Sequence, residues 1–383
     1  MTDTKSYSTV KILLHIRSLD IGGSERQVVS LAKSMADLGA EIHIATIKSG
    51  GQLEADILGI SNVHLHYIGG SGLGGKLKYL SRLRSLIKST EFNGVYGFLP
   101  IPNLALLVAR TVRNRPSIAW GVRSSDLDLT QYEKRVKFAM KLEKWLSKFP
   151  DTIITNSRAA LTEYQLKGYA KLHHIPNAID SDRFKPNPAT RVLVRNKLGI
   201  SNSAPLIGLF ARIHPMKDHI TFLKAVKILI TKTPRVRFIC AGSTSLGYSD
   251  LETAIKATAT DMGLDKHVIW LGARNDPEHL MAACDLTTLT SNNGEGFPNS
   301  VAESISCGVP CVPTDIGDSA NIVSHFAPVV PAKNAQALAL AWESILSRDS
   351  IQQNQLAIEM RQSIIDRFSC NTIALRTLKA LTL

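Results

Sequence analysis

KILLHIRSLDIGGSERQVVSLAKSMADLGAEIHIATI, residues 11–47, decides the fold. Its first part, to Ile16, continues from Val10 as a short, nearly unbroken apolar run, the pattern of a strand buried on both faces. Gly22-Gly-Ser-Glu-Arg-Gln27 then turns the chain into Val28, Val29, Leu31, Ala32, Met35 and Leu38, apolar at helical spacing, and Gly39 ends that run. Ser24 with Gln27 predicts a capping box at the helix start. Glu41 to Ile47 is a second strand. Strand, helix and strand in succession imply a parallel pair joined by a right-handed crossover.

The same alternation continues along the chain. Val63–Ile68, Gly94–Phe98, Ser117–Val122, Thr152–Thr155 and His173–Ile175 have strand patterns, with helical patterns between most of them. The polar, proline-bearing stretch Asp182–Thr190 interrupts the series, and a second one follows. Its strands are Ile207–Ala211, Val236–Ala241, Val268–Leu271, Leu286–Leu289 and Val309–Pro313. Its helices are His219–Thr231, Asp250–Met262, Pro277–Cys284, Ala335–Ser347 and Gln353–Phe368. The expected class is α/β, with two Rossmann-like domains facing across a cleft. Residues 1–185, joined by 366–383, form the first, and residues 186–365 the second. Ligands of such sheets lie beyond the carboxyl ends of the strands. The loops of interest are therefore Arg17–Glu25, Pro100–Asn103, Arg123–Asp128, Arg212–His219 and Ser291–Ser300.

The 383 residues are 44% hydrophobic with a mean hydropathy of +0.02, which suits a globular chain of about two domains. No window approaches eighteen uninterrupted apolar residues, and the polar start Met1–Val10 shows no secretory signal, so a cytoplasmic protein is expected. Five cysteines without a paired spacing read as reduced thiols. The net charge of +13 is concentrated: residues 76–148 hold fifteen Lys/Arg against five Asp/Glu. Nucleic acid, an anionic membrane or a phosphorylated substrate would each account for that surplus. Aromatic residues at 6% and the lack of a recognition motif weigh against nucleic acid. Within this region two helical patterns are amphipathic. Residues 76–88 carry apolar groups at 77, 80, 83 and 87, and Phe138, Leu142, Trp145 and Phe149 form a stripe beside Lys137, Lys141, Lys144 and Lys148. Each stripe either packs on the sheet or faces an anionic leaflet.

Two segments carry the chemistry. Ala211-Arg-Ile-His-Pro-Met-Lys217-Asp-His follows a strand and opens a helix. Arg212 supplies a planar fork and Lys217 a compact charge, a pair suited to a diphosphate, unless the loop is merely solvated and capped by Asp218. In Asn293-Gly-Glu-Gly-Phe-Pro-Asn-Ser-Val-Ala-Glu303, Glu295 and Glu303 stand eight positions apart, about 80° on a single helix, but Gly296 and Pro298 break it. Glu295 is expected on a loop. Glu303 is expected in the first turn of a helix opening near Asn299 or Ser300, where the Asn299–Val301 amides would meet phosphate. Ser300 to Glu303 also fits a capping box. Gly22-Gly-Ser-Glu is either a turn and cap or a ligand loop; it lacks G-x-G-x-x-G. Asp126 and Asp128 have the D-x-D spacing of a metal site, a pattern too common to carry one, and the eleven histidines show no zinc spacing.

With Gly296-Phe-Pro before it and Ser306-Cys-Gly-Val-Pro310 after it, the Glu295–Glu303 pair resembles the hallmark of the retaining GT-B glycosyltransferases of family 4, the group 1 glycosyltransferases. Thr155-Asn-Ser157, Ile175-Pro-Asn-Ala-Ile-Asp180, Phe184-Lys-Pro186, Arg212 with Lys217-Asp-His219, and Arg367-Phe-Ser369 match the same family in the same order. The resemblance implies transfer of a hexose or N-acetylhexosamine from a nucleotide sugar to a lipid-linked, polysaccharide or lipopolysaccharide acceptor. A UDP-sugar is favoured; the alternatives are a GDP-sugar (mannosyl) transferase and a non-catalytic sugar-nucleotide-binding protein. By resemblance Arg212 and Lys217 hold the leaving diphosphate, Glu295 the sugar hydroxyls and Glu303 the ribose. Gly22, Gly23, Gly296, Phe297, Pro298, Asn299, Ser300 and Val301 complete the donor set, with Arg274 at the base-binding rim. Arg123 and Asn103 are assigned to the acceptor side. Arg123 stands where many relatives carry histidine, and an arginine stays protonated, so it serves to bind an anion or brace the sugar rather than as a base. The mechanism drawn for the family needs no metal or other cofactor. Peripheral contact with the inner face of an anionic membrane is expected.

Overall fold

The computed structural model describes residues 7–70, 72–110, 115–123, 134–244 and 248–382. The chain divides into two compact units, Met1–Ala178 with Phe368–Leu383, and Ile179–Arg367. The first boundary therefore falls at 178/179 rather than 185/186, and the return at 367/368 rather than 365/366. Hydrogen bonds explain the early crossing. Ser306 and Arg361 donate to the Phe184 carbonyl at 2.6 and 2.9 Å, and Arg183 pairs with Glu278 at 2.9 Å. These tie residues 181–184 to the second unit.

In unit 1, β1 (Lys11–Ile16), β2 (Glu41–Thr46), β3 (Val63–Tyr67), β4 (Gly94–Phe98), β5 (Ser117–Val122), β6 (Thr152–Thr155) and β7 (Leu172–His174) form one parallel sheet, ordered β3-β2-β1-β4-β5-β6-β7. Its helices are α1 (Gly23–Asp37), α2 (Gly72–Thr90), α3 (Pro100–Ala109), α4 (Lys134–Leu146) and α5 (Arg158–Leu166), joined by the chain's last helix. The apolar run of β1 serves both faces by simple alternation. Ile12, Leu14 and Ile16 pack with Val28, Leu31 and Met35 of α1, while Leu13 joins Leu83 and Ile87 of α2. The capping box expected at α1 does not form. Gly22 is the N-cap, and buried Gln27 instead clamps the Ala178 backbone, accepting from its N–H at 2.7 Å and donating to its carbonyl at 2.8 Å.

Unit 2 builds its sheet from β8 (Leu206–Phe210), β9 (Arg237–Ala241), β10 (Val268–Gly272), β11 (Leu286–Leu289) and β12 (Cys311–Pro313), parallel and ordered β10-β9-β8-β11-β12. Around it lie α6 (Pro188–Lys197), α7 (His219–Lys232), α8 (Ser249–Asp261), α9 (Pro277–Ala283), α10 (Asn299–Ser306), α11 (Ser319–Val323), α12 (Ala335–Leu346) and α13 (Ser350–Phe368). The final helix, α14 (Cys370–Leu381), returns to unit 1 and buries Ile373, Leu378 and Leu381 in the α1 face of its core. All five cysteines are free thiols, four of them buried. Among the described residues no helix is long and apolar enough to cross a membrane.

The two amphipathic patterns separate. Leu83 and Ile87 of α2 are buried, so that stripe packs on the sheet. On α4 the phase is reversed: Phe138, Trp145 and the following Phe149 are 68%, 70% and 47% exposed, and Glu143 faces inward at 3%. Asn103 of α3 explains the inversion. Its amide donates to Glu143 Oε1 at 2.6 Å and to the Gly121 carbonyl at 3.2 Å, and its oxygen accepts from Gly121 N at 3.2 Å. A fully buried side chain with these partners is a fastener between α3, α4 and β5, which corrects its assignment to the acceptor side. Burial raises the Glu143 carboxyl to about 7, against 4.5 for an ordinary glutamate. An acid with a raised folded pKa keeps its proton only in the fold, so stability falls as pH climbs from about 4.5 to about 7. Glu143→Gln removes that loss while keeping an oxygen for Asn103. At pH 8 its thermal midpoint should exceed that of the wild type, by up to ~3 kcal/mol equivalent, and the gap should close near pH 4.5. A gap independent of pH would show that Glu143 is ionised in the fold.

Candidate functional site

β8 has β9 on one side and β11 on the other, so the chain's excursions after β8 and β11 leave the same end of the sheet as neighbours. After β8, Arg212 precedes a short 3₁₀ turn, Pro215–Lys217, whose N-cap His214 accepts from Met216 N at 3.2 Å. Asp218 then adopts a left-handed conformation (φ 43°, ψ 57°), one that L-residues other than Asn and Asp rarely take. Its carboxylate accepts from Thr221 N at 3.1 Å and Thr221 Oγ1 at 2.7 Å, capping α7. Asp218 is thereby a structural residue. Lys217 is the last residue of the turn, directly before this reversal.

After β11, Thr290 donates to the Lys217 carbonyl at 2.7 Å and Asn292 N to the Met216 carbonyl at 2.8 Å, fastening the second loop to the first. Gly294 takes φ +74° and delivers Glu295 into the gap, 7% exposed. There the Lys217 ammonium and the Ser291 hydroxyl both donate to Glu295 Oε1. The segment before α11 closes the loop from behind. Asp318 N donates to Gly296 O at 2.9 Å, and Gly317 comes so near that a Cβ there would lie 2.5 Å from that oxygen. Glu295 is thus on a loop, as its glycine neighbours imply. Gly296, Phe297 and Pro298 are buried, and α10 opens at Asn299.

Two expectations about α10 need correction. Its N-cap is Pro298, without a side-chain cap, so Ser300 and Glu303 form no capping box and Glu303 falls in the second turn. Of the three amides assigned to phosphate, that of Val301 already donates to the Pro298 carbonyl at 3.1 Å. Arg274, after β10, makes a two-pronged pair with Asp276 at 2.8 and 2.7 Å.

The cations of the first loop act on its two histidines. Burial lowers the His214 imidazole, and Arg212 and Lys217 lower it further. Burial and Lys217 bring His219 down to about 4. Both rings are neutral near pH 7, so the positive field belongs to Arg212 and Lys217.

In unit 1, Gly22 and Gly23 lie at the start of α1, beyond β1. Arg123 follows β5. Its two Nη groups donate to Asn177 Oδ1 at 2.8 Å and Tyr96 Oη at 2.7 Å, and its guanidinium lies 4.5 Å from the centre of the Phe98 ring. Asn156 Nδ2 also donates to Asn177 Oδ1, at 3.3 Å. A cation is therefore held at the carboxyl ends of β4, β5 and β6. Tyr96 gives no linear signal of this role; Asn156 and Asn177 stand within the family-like segments, but without an assigned task. Ser291 opens one of the loops of interest but carries no signal of its own for this contact. Asp126 and Asp128 lie outside the described residues.

Comparison with known proteins bears on both units. Residues 21–183 match the model "Glycosyltransferase Family 4", and residues 191–363 match "Glycosyl transferases group 1". An Escherichia coli UDP-Gal:alpha-D-GlcNAc-diphosphoundecaprenol alpha-1,3-galactosyltransferase is 26% identical over 65% of this chain and 64% of its own length. A Campylobacter jejuni N-acetylgalactosamine-N,N'-diacetylbacillosaminyl-diphospho-undecaprenol 4-alpha-N-acetylgalactosaminyltransferase is 24% identical over 90% of this chain and 92% of its own. The crystal structure of Anabaena HepE in complex with UDP-glucose superposes with a TM-score of 0.82 at 23% identity, covering 97% of this chain and 99% of that one. Its likeness is one of fold.

The Lys217–Glu295 contact makes a prediction about stability. Lys217→Ala removes a charged partner from a largely buried carboxylate. It should destabilise by roughly 2–3 kcal/mol, somewhat less than a fully dry pair. Glu295→Gln in that background should restore at least half of the loss. Thermal unfolding of the two single variants and the double variant measures this; additive midpoints would mean the two groups are not coupled.

Proposed function

We propose that the chain, which belongs to the group 1 glycosyltransferases of family 4 and has the GT-B fold, moves a hexose or N-acetylhexosamine from a UDP-sugar to a lipid-linked or polysaccharide acceptor with retention. The observation that carries this reading is the Lys217–Glu295 contact, made by the loop that also bears Arg212, at the switch point of the unit 2 sheet. An ammonium and a carboxylate that satisfy each other can instead be shared by one ligand bearing phosphate and hydroxyls. Arg212 and Lys217 face the diphosphate, Glu295 the hydroxyls of the transferred sugar, and Glu303 the ribose. The difficult step is departure of the nucleoside diphosphate from an oxocarbenium-like carbon, and fixed positive charge on the leaving oxygens is the largest available help. The bond from the anomeric carbon to the phosphate oxygen breaks and a bond to the acceptor oxygen forms on the same face. The acceptor's proton passes to the departing phosphate oxygen. The role of Arg123 is to brace the sugar or meet an anionic acceptor. No metal takes part in this scheme.

The E. coli relative and the Anabaena complex, by their names, concern UDP-sugars, and this supports uridine over guanosine. Thermal unfolding with UDP, GDP and ADP tests the choice: the cognate nucleotide at a hundred times its Kd adds about 2.7 kcal/mol. Arg212→Ala and Lys217→Ala should each lower transfer by about two to three orders of magnitude at temperatures where the variants are folded. Wild-type turnover in either would remove its diphosphate role. Nucleotide binding without transfer or donor hydrolysis would favour a sensor instead.

The outward face of α4 supports peripheral attachment to an anionic membrane. Phe138, Trp145 and Phe149 stand exposed among Lys141, Lys144 and Lys148, a pairing of aromatic wedge and cation suited to the boundary between headgroups and acyl chains. Each cation near an anionic leaflet contributes about 1 kcal/mol. Replacing the three lysines with Gln should therefore weaken co-sedimentation with anionic vesicles about 100-fold at low salt, and Trp145→Ala should weaken it separately. Equal binding to neutral vesicles would refute the electrostatic part.

A further inference from the structure

Four side chains on β2 and the edge strand β3 have no place in the transfer reaction. Glu41, His43, His64 and His66 are scattered along the sequence, yet the parallel register opposes His43 to His64, and the two-residue period of a strand puts all four on one face. One ligand atom from each of Glu41, His43 and His64 lies within 4.8 Å of the others. Glu41 Oε1 is 2.9 Å from His43 Nε2 and 3.9 Å from His64 Nε2. Ligands at the 2.0–2.1 Å bond lengths of tetrahedral zinc lie roughly 3.3 Å apart, between those two values. His64 is the most exposed of the three, so the adjustment falls on the side chain freest to make it.

The surroundings are those of a supported site. His43 Nδ1 and His66 Nε2 are 2.8 Å apart with nearly parallel rings, so His66 fixes which nitrogen of His43 points at Glu41. Phe92 packs edge-on against His43 at 5.0 Å, and Lys11 Nζ holds the other Glu41 oxygen at 3.1 Å. A second layer that sets the tautomer and orients the carboxylate is what distinguishes a metal site from a chance cluster.

We propose that Glu41 Oε1, His43 Nε2 and His64 Nε2 bind a divalent transition-metal ion of the zinc class, open to water at a fourth position, with His66 orienting His43. Two imidazoles and one carboxylate suit zinc, and cobalt as its stand-in, rather than magnesium or calcium, which take oxygen ligands. The cluster stands at the amino-terminal ends of β2 and β3, the opposite end of the strands from the ligand loops. Bound there, the ion ties the edge strand to its neighbour and serves the sheet, not the transfer step.

The test uses tag-free, full-length protein stripped with a chelator and titrated with Co²⁺, followed by visible absorption and then Zn²⁺ competition. One equivalent of Co²⁺ should give the intense bands of a four- or five-coordinate ion, and Zn²⁺ should abolish them. His64→Ala, at an exposed position, and Glu41→Gln should each weaken binding by at least ~100-fold, and His66→Phe by about 10–100-fold, the range for second-layer partners. Magnesium should not compete. Co²⁺ that remains six-coordinate and pale, or affinity that is the same in wild type and His64→Ala, would overturn the proposal. Zn²⁺ raising the unfolding temperature of His64→Ala as much as that of wild type would do so too.

Discussion

The pairing of β8 with β11 positions almost everything of interest in unit 2. Leu286, Thr287 and Thr288 lie opposite Ile207, Gly208 and Leu209 in parallel register. At the middle of that ladder Gly208 is required, because a Cβ would meet the Phe210 ring at 2.5 Å and the Cys284 sulfur at 2.8 Å. Parallel neighbours lie about 4.8 Å apart and end side by side. Two loops leaving such strands together can place residues 78 positions apart in contact, as Lys217 and Glu295 are. The sheet makes the encounter, and the charges settle how close it becomes.

Buried charge is managed in three ways. In unit 2, Arg195 is fully buried, with its guanidinium divided between Asp285 at 2.6 Å and the carbonyls of Ala283 and Ala204 at 2.9 Å. That network docks α6 onto the ends of the strands. Arg123 has no carboxylate partner among the described residues and relies on neutral oxygens and an aromatic face. Among the described residues Glu143 has only an amide, and its carboxyl is pushed toward the neutral form. The price of dehydration is met by a countercharge, by dipoles, or by a proton.

These differences govern what a reader of the sequence can see. The strands are legible because a parallel strand buried on both faces is a continuous apolar run. The loops after β8 and β11 are legible because Gly, Pro, Lys and Glu punctuate them. The helix α6 is not, since Val192 and Leu193 point outward and its anchor is an arginine. The inverted face of α4 is hidden for a like reason: hydrophobic periodicity identifies its aromatic stripe, but a buried Glu143 held by Asn103 decides which way the helix faces. Local capping patterns mislead at Gln27, whose amide is taken by Ala178, distant in the chain, and at Glu303, where Pro298 caps the helix two residues before Ser300. The His43–His64 apposition depends on strand register, which no linear spacing encodes.

The return of α14 to unit 1 has a consequence for the order of synthesis. Ile373, Ala374, Leu378 and Leu381 complete a core whose other members are made before residue 179. A ribosome adding about 5–20 residues per second needs roughly 10–40 s to traverse unit 2 in between. Throughout that interval the α1 face of the nascent sheet lacks the α14 part of its cover, whereas unit 2 acquires all of its own residues in one uninterrupted pass. The amino-terminal half is thus begun first and closed last, and its exposed α1 face is where a chaperone would meet the growing chain.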